Sequence, residues 1–463
     1  MVQELIKKKL IIGGCILTVL CILGLGIIFI PNWGGDNKDS SKDGSASAIG
    51  IDNPVQNATD ISNGQNPAQN PTQNPVQVPV QYISNFDFSF LKMENNKKNM
   101  LYSPLSIEYA LNMLQEGALN NTYDEINRVI GNRKLPKYSS IDKSLSLANG
   151  LFIRDKFYKF IKQEYINALK EKYDAEVKQE AFTSAQNTNK WIEDKTLGII
   201  KDMLSDDTVR DPDLVMLIIN ALAIDMEWAL RFSDNDTHGE TFNKVNGEKM
   251  TATMMSHKEI MSKSVAYYVN NDITALTMDL KDYSGTQFEF MAIMPKENLS
   301  GYVEKVSKEQ INEIDKNLKS SFDTPDGVNV RIPKFKFSYD LSLKQDLIKL
   351  GIRDAFDGDN AKFSKMADEK QLNGNLYVSD ALHKADIEFT EKGVKAAAVT
   401  VMIMSKANAM MPKIKQPVNI IIDKPFMFVI RDKTTKDIWF TGTVYEPNSW
   451  KNDKDSYSTH YDF

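Results

Sequence analysis

The side chains that most often carry covalent or metal chemistry are scarce in this chain. Cys15 and Cys21 both lie in one uncharged run near the start, and no cysteine follows residue 21. The four histidines are His238, His257, His383 and His460. This distribution excludes a cysteine nucleophile, a thiolate zinc site and a disulfide-stapled fold beyond that run. We expect no metal site and no cofactor, and no acid partner accompanies His383 to make it catalytic. The sequence therefore predicts a protein that is not an enzyme.

Composition and charge narrow the class further. The chain has 463 residues, of which 42% are hydrophobic and 25% charged, so most of it is expected to fold around a core. The formal net charge is -6. Binding to a nucleic-acid backbone needs clustered Lys and Arg, so we expect no nucleic-acid partner.

The first 33 residues have the features of a membrane anchor. Residues 10–30 carry no charge, and 21 helical residues span roughly 30 Å, the thickness of a hydrocarbon core. Lys7, Lys8 and Lys9 precede the run, and Trp33 follows it. This pattern predicts a cytoplasmic segment at 1–9, a transmembrane signal-anchor at 10–33 and an extracellular remainder on a single-pass cell-membrane protein. The alternative is a removable signal peptide and a secreted chain.

Two other segments are predicted to lack a folded core. Residues 34–83 are rich in Asn, Pro, Gln and Ser, and such a composition buries too little apolar area to offset chain entropy. We predict a disordered linker there and a disordered tail at 451–463. The anchor and the Asn- and Lys-rich composition favour a bacterial source.

Residues 84–450 have the composition of one large folded domain. Ser103 is predicted to cap a helix with Pro104 in its first turn, and residues 189–204 show helical spacing. Predicted strands follow at 214–224, 287–294, 419–430 and 437–444. Helices before strands, without regular βαβ alternation, predict an α+β domain.

Several segments of this domain together resemble one family, the serpins, and they follow that family's order. Residues 99–106 match its Asn-x-x-x-Ser-Pro-x-Ser motif, and residues 189–196 match its Asn-x-Trp-Val-x-x-x-Thr motif. Further matches are Asn220-Ala221 with Trp228, Pro333 to Phe335, Leu350 to Ile352 with Ala355 and Phe356, His383 to Ala385, and Asp423 to Phe426. One departure is Ile-Asp-Met at 224–226, where the family has Phe-Lys-Gly.

The resemblance implies the serpin fold, with helices around a large mixed central β-sheet, further sheets and an exposed reactive loop at about 391–412. It also implies suicide inhibition: a serine protease cleaves the loop, the freed segment enters the central sheet, and the protease stays covalently bound. We expect a monomer whose partner is an elastase-like, subtilisin-like or trypsin-like protease. The alternatives are a non-inhibitory serpin that serves as a binding or scaffolding module, and a hydrolase with an unrecognised site.

The loop sequence suits insertion as a strand. Gly393 permits a sharp bend, and no proline precedes Pro412. The hinge and insertion residues are Glu391, Gly393, Val394, Ala396, Ala397, Ala398 and Thr400. Composition alone leaves a short helix at 396–398 equally open, because alanine is a strong helix former. Val394 and Lys395 depart mildly from the family, which usually has Thr or Ser and then Glu.

The bond that a protease cuts is predicted by counting along the loop. Fourteen residues past Gly393 lead to Ala407, so the reactive bond is Ala407–Asn408. Lys406 is the alternative, and the length of the loop keeps Met404, Met410 and Lys413 open as well.

Four more residues are assigned by resemblance to the region where the sheet opens for the loop. These are Ser106, Trp228, Lys334 and His383. Ser106 and His383 belong to a predicted polar cluster under the sheet. Lys334 and Glu391 are predicted either to form an ion pair or to remain two solvated charges. Trp228 is predicted either to act where the loop begins or to be a purely structural core residue.

Overall fold

The computed structural model describes residues 18–31, 85–131, 133–141, 144–372, 374–393 and 416–451. In chain order its strands are β1 (Thr18–Pro31), β2 (Met100–Tyr102), β3 (Leu145–Arg154), β4 (Glu176–Glu180), β5 (Leu214–Asp225), β6 (Thr237–Asn243), β7 (Lys249–Ile260), β8 (Val265–Val269), β9 (Ile273–Tyr283), β10 (Thr286–Pro295), β11 (Lys319–Ser320), β12 (Val328–Pro333), β13 (Phe335–Ser342), β14 (Gly374–Phe389), β15 (Val418–Ile421), β16 (Phe426–Asp432) and β17 (Ile438–Val444).

The strands form three sheets. The six-stranded sheet has the order β13-β14-β1-β5-β3-β4, the seven-stranded sheet β11-β8-β9-β10-β16-β17-β2, and the four-stranded sheet β15-β12-β7-β6. In the six-stranded sheet, β3 and β4 pair in parallel and the other neighbours are antiparallel, so it is the large mixed sheet that the resemblance implied. Together with the helices, these sheets confirm the α+β serpin fold.

The helices lie around the sheets. Within the described ranges, the α-helices are Ser89–Met93, Pro104–Gly117, Asn120–Ile130, Gln163–Tyr173, Gln186–Lys195, Asp206–Arg210, Leu299–Lys305, Lys308–Asn317, Lys344–Leu350 and Glu369–Leu372, with 3-10 turns at Phe86–Phe88, Asp155–Phe160, Asp234–Asp236, Ser321–Asp323 and Asp354–Phe356. Helix Pro104–Gly117 begins as predicted, because the side chain of Ser103 accepts a hydrogen bond from the Ser106 amide at 3.0 Å.

Strand β5 of the six-stranded sheet is covered on both faces, whereas β13 and β14 alternate buried residues with half-buried or exposed ones. Helix Pro104–Gly117 packs on one face of β5, and helix Gln186–Lys195 packs on the other. From the second helix, Trp191 and Ile192 contribute to a buried cluster with Ile219 and Ala221 of β5. Because both faces are buried, β5 is apolar along nearly its whole length, as its uninterrupted hydrophobic run predicted.

Residues 18–31, the described part of the N-terminal apolar run, form a strand and not the predicted membrane helix. Thr18–Pro31 is strand β1, which lies between β5 and β14. In the described ranges, no helix has the length and apolarity needed to cross a membrane. The predicted transmembrane signal-anchor at 10–33 is therefore wrong, and so are the membrane partner and the single-pass extracellular placement. The secreted alternative belonged to the same localisation, and it too assigned residues 18–31 to a targeting segment and not to the sheet.

The physical reason for this error is that two environments select the same residues. A central strand covered on both faces needs an uninterrupted apolar sequence, as a membrane helix does. Length and lack of charge cannot separate the two. The predicted linker at 34–83 lies outside the described residues, as do residues 1–9 and the predicted tail apart from Lys451.

The helix predicted for residues 189–204 is too long. It ends at Lys195, because Leu197 and Gly198 both have positive φ, at 56° and 81°. The strand predicted for 419–430 is divided into β15 and β16, with Pro425 in the break. The strands at 214–224, 287–294 and 437–444 are confirmed, within two residues at each end.

Candidate functional site

The candidate site begins where β14 ends, at Phe389, and the chain continues through Thr390 to Gly393. This short hinge is held by the segment that follows β5. The Trp228 indole Nε1 donates to the Thr390 carbonyl at 2.8 Å, and the backbone amide of Trp228 donates to the Lys392 carbonyl at 3.3 Å. The Phe232 amide donates to the Glu391 carbonyl at 3.0 Å. The ends of β5 and β14 are therefore joined directly at the start of the loop.

Gly393 has a conformation and a position that favour glycine. Its φ is +69°, in the region that L side chains rarely adopt. A Cβ at this position would lie 2.3 Å from the Trp228 amide nitrogen. The bend that the sequence predicted at Gly393 is present, and it depends on the absence of a side chain.

Trp228 has both of the roles that the sequence left open. Its side chain is fully buried, and its ring packs edge-on against Phe389 at 5.1 Å and Phe290 at 6.0 Å between centroids. Phe389 also stacks on Phe335 at 4.7 Å. The aromatic group thus places the end of β14 against the seven-stranded sheet, while the indole N–H holds the hinge.

Glu391 forms an ion pair with Lys334. The Lys334 Nζ lies 2.8 Å from Glu391 Oε2, and the Thr237 hydroxyl donates to Glu391 Oε1 at 2.8 Å. The Glu391 side chain is 6% exposed and that of Lys334 is 19% exposed, so the alternative of two solvated charges is wrong. Thr237, at the start of β6, was missed, because no sequence pattern marks it as a partner of the hinge.

A polar cluster lies under the middle of the six-stranded sheet. The Ser106 hydroxyl donates to Asn220 Oδ1 at 2.5 Å, and Asn220 Nδ2 donates to Asn149 Oδ1 at 2.8 Å. The Ser103 amide donates to His383 Nε2 at 3.1 Å. All five side chains are buried. Ser106 and His383 thus meet through Ser103, as part of a larger group than the sequence predicted.

Burial also sets the charge of His383. Desolvation lowers the pKa of His383 to about 3. The imidazole is therefore neutral near pH 7 and accepts the Ser103 N–H at its unprotonated Nε2. This protonation state suits a structural hydrogen-bond acceptor.

The remaining predicted site residues lie outside the described residues. They are Val394, Ala396, Ala397, Ala398, Thr400, Lys406, Ala407 and Asn408, and the outside options Met404, Met410 and Lys413 lie there too. The choice between helix and strand at 396–398 therefore stays a prediction, as does the bond that is cut.

Comparisons with known proteins agree with this architecture. Residues 83–447 match the family described as serpin (serine protease inhibitor). The chain is 31% identical over 389 residues to an uncharacterized serpin-like protein of Thermococcus kodakarensis, covering 79% of this chain and 85% of the relative. It is 27% identical over 385 residues to a leukocyte elastase inhibitor of Xenopus laevis, covering 78% and 96%.

A solved structure gives the same result. The native state of tengpin, a thermophilic serpin, aligns with a TM-score of 0.61 and 27% identity, covering 82% of this chain and 97% of tengpin. Three sheets, surrounding helices and a hinge after β14 define a protein of serpin architecture. The chain belongs to the serpin family. Its archaeal and amphibian relatives give the predicted bacterial source no support.

Proposed function

We propose that this serpin inhibits serine proteases by presenting the loop after Gly393 as a substrate and then inserting it into the six-stranded sheet. The observation that carries the proposal is the hinge. Trp228 holds the backbone of Thr390 and Lys392, Lys334 holds Glu391, and Gly393 turns the chain. These contacts fix one end of the loop, so a cut further along releases a segment that stays attached to β14.

The first step is ordinary serine-protease chemistry on one loop bond. The protease serine Oγ attacks the carbonyl carbon of Ala407, and the Ala407–Asn408 C–N bond breaks. The new amino group of Asn408 takes the proton that the protease histidine removed from the serine. Ala407 remains esterified to the protease, and hydrolysis of this ester would free the enzyme.

Insertion competes with that hydrolysis. The segment 394–407 counts 14 residues, which extend about 46 Å as a strand. Its charged residues are Lys395 and Lys406, one near each end, so its middle can lie between β5, which is buried on both faces, and β14, which is buried on one. Movement of Ala407 along the sheet carries the esterified protease away from the hinge and distorts its active site.

The residue at the cut determines the class of protease. Ala407 suits the small or tolerant pockets of elastase-like and subtilisin-like enzymes, whereas cleavage after Lys406 suits trypsin-like enzymes. Incubation of the full chain with one protease of each kind is the direct test. We expect a complex that survives SDS, and a released C-terminal fragment that begins at Asn408 by mass spectrometry. A fragment that begins at Ala407 would assign the cut to Lys406 instead.

A matched pair of hinge variants separates inhibition from simple cleavage. Val394→Arg places a charge at a position that must be buried on insertion, so we expect cleavage without a stable complex. Lys395→Arg keeps the charge at a neighbouring position of the opposite strand face, so the complex should persist. Cleavage by every protease with full protease activity retained, both in the unmodified chain and in a variant that weakens the pairing of β1, would refute inhibition and favour a binding or scaffolding serpin.

A further inference from the structure

The strand that lies between β5 and β14 comes from the N-terminal part of the sequence. β1 pairs antiparallel with β5 on one side and with β14 on the other. Thr18 lies opposite Asp225 at the end of β5, and Pro31 lies opposite Gly374 at the start of β14. β1 therefore begins at the hinge end of the sheet and runs away from it.

The same place is where the loop after Gly393 starts. Phe389 ends β14, Asp225 ends β5, and Trp228 joins the two ends through its bonds to Thr390 and Lys392. A chain that turns back at Gly393 beside β14 runs antiparallel to it. One edge of β14 is already paired with β13, and the other is paired with β1.

We propose that Thr18–Pro31 is an exchangeable occupant of the position that the cleaved loop needs. This inference rests on the proposed function, because it concerns the competitor of loop insertion. While β1 is paired, the sheet has no gap between β5 and β14, and a severed loop cannot enter. Departure of β1 converts the protein from a substrate of its protease into an inhibitor.

The two candidate strands are matched in length and direction. β1 has 14 residues, as does the segment 394–407, and the sequence of β1 carries no charge. Either strand can pair with the backbone N–H and C=O groups on the two facing edges of β5 and β14. The sheet therefore holds one of them at a time.

The polar cluster under the sheet is compatible with an exchange. Leu23 lies opposite Asn220 on one side and opposite His383 on the other. Asn220 is bonded to Asn149 and Ser106, whereas His383 accepts from the Ser103 amide. These three bonds join residues outside β1, so exchange of the strand does not require them to break. Residues 32–84 keep a displaced β1 covalently attached, so it can return by an intramolecular step.

Cys21 provides a direct test in the full chain. It lies opposite Ala385 of β14 and Leu222 of β5. Neighbouring strands place paired Cα atoms about 4.5–5.5 Å apart, within the range of a disulfide. In a Cys15→Ser background, we expect Ala385→Cys to crosslink to Cys21 under mild oxidation, and Leu222→Cys to do so independently. Ala381→Cys is the matched control, because it lies opposite Leu25, roughly 13 Å further along β1.

The crosslinked protein then tests the exchange. Oxidised Ala385→Cys should be cleaved by the protease with loss of the covalent complex, and reduction should restore the complex. Ala381→Cys should form the same complex in both states. Absence of a crosslink in both Ala385→Cys and Leu222→Cys, or equal complex formation by locked and reduced protein, would overturn the inference.

A variant that weakens β1 separates this inference from the proposed function. Leu23→Pro removes a ladder donor in the middle of β1 and should raise the yield of covalent complex above that of the unmodified chain. If neither protein forms a complex with any protease, the proposed function fails and the exchange fails with it. If both form equal yields, inhibition stands and the competition is refuted.

Discussion

The hinge end and the middle of the path that a loop would follow are built differently. At the hinge end, β5 and β14 are joined by direct contacts, because Trp228 holds Thr390 and Phe232 holds the Glu391 carbonyl. In the middle of the sheet, Asn220 and His383 lie on strands separated by β1, roughly 9–10 Å apart. Their hydrogen bonds run to different partners, Asn149 and Ser106 for one and the Ser103 amide for the other.

This difference indicates which part of the sheet can open. The hinge bonds of Trp228 and Phe232 run directly to Thr390, Glu391 and Lys392, so these bonds do not depend on a strand between β5 and β14. The middle is closed by β1, whose pairing is made of backbone bonds that another strand can replace. The hinge is therefore expected to act as a fixed point and the middle as the part that exchanges.

The largest expected effect is at the hinge. Trp228→Ala removes a fully buried indole and should lower the free energy of unfolding by about 3–5 kcal/mol. Trp228→Phe keeps an aromatic ring against Phe389 and loses the bond to Thr390, so about 1–2 kcal/mol is expected. Urea unfolding of the full chain measures both. Equal losses in the two variants would show that the ring packing contributes little.

The ion pair at the hinge should contribute less. Glu391→Gln leaves Lys334 without its buried counter-charge and is expected to cost about 2 kcal/mol. Glu388→Gln is the matched control on β14, because Glu388 pairs with the exposed Lys336 at 3.0 Å and such a pair contributes about 0–1 kcal/mol. Chemical denaturation compares the two. If both variants lose the same free energy, the distinction between hinge and surface pairs is wrong.

The middle of the sheet should respond to pH. The pKa of His383 is lowered from 6.5 to about 3 by burial, so between these values the unfolded imidazole binds a proton and the folded one does not. Stability falls as pH falls through this window, by about 1.4 kcal/mol per unit, or about 2 kcal/mol at pH 5. His383→Gln should lack this contribution, whereas the half-buried control His257→Gln should keep it. Parallel pH profiles for His383→Gln and the unmodified chain would contradict the assignment.

Local signals in the sequence predicted much of the fold. Ser103 before Pro104 predicts a helix N-cap, because its side chain can accept a hydrogen bond from a backbone N–H of the first turn. The apolar run of β5 predicts a strand that is buried on both faces. The serpin resemblance predicted the region where the loop begins, and the structure places Trp228, Lys334, Glu391 and Gly393 together at the end of β14, whereas their part in loop insertion stays a prediction. Each of these predictions depends on residues close in sequence or on motifs that the family fixes.

The errors arise where one pattern fits two environments or where a partner is distant. The residues of β1 satisfy the requirements of a membrane helix and of a central strand alike. Asn149 and Asn220 are single polar residues in apolar runs, and their mutual bond spans 71 positions. Thr237 reaches Glu391 across 154 positions. Such contacts arise from sheet topology, which no local spacing records.

Gly393 separates the bend that ends the hinge from the loop residues that a protease would contact. Its bend is set by backbone geometry and by the nearby Trp228 amide, and it makes no demand on the identity of any residue that follows. Under the proposed function, substitutions at the cut, at Lys406 or Ala407, can change which protease is recognised without altering the bend at Gly393. The same scaffold could then act on a different protease after substitution of only a few loop residues.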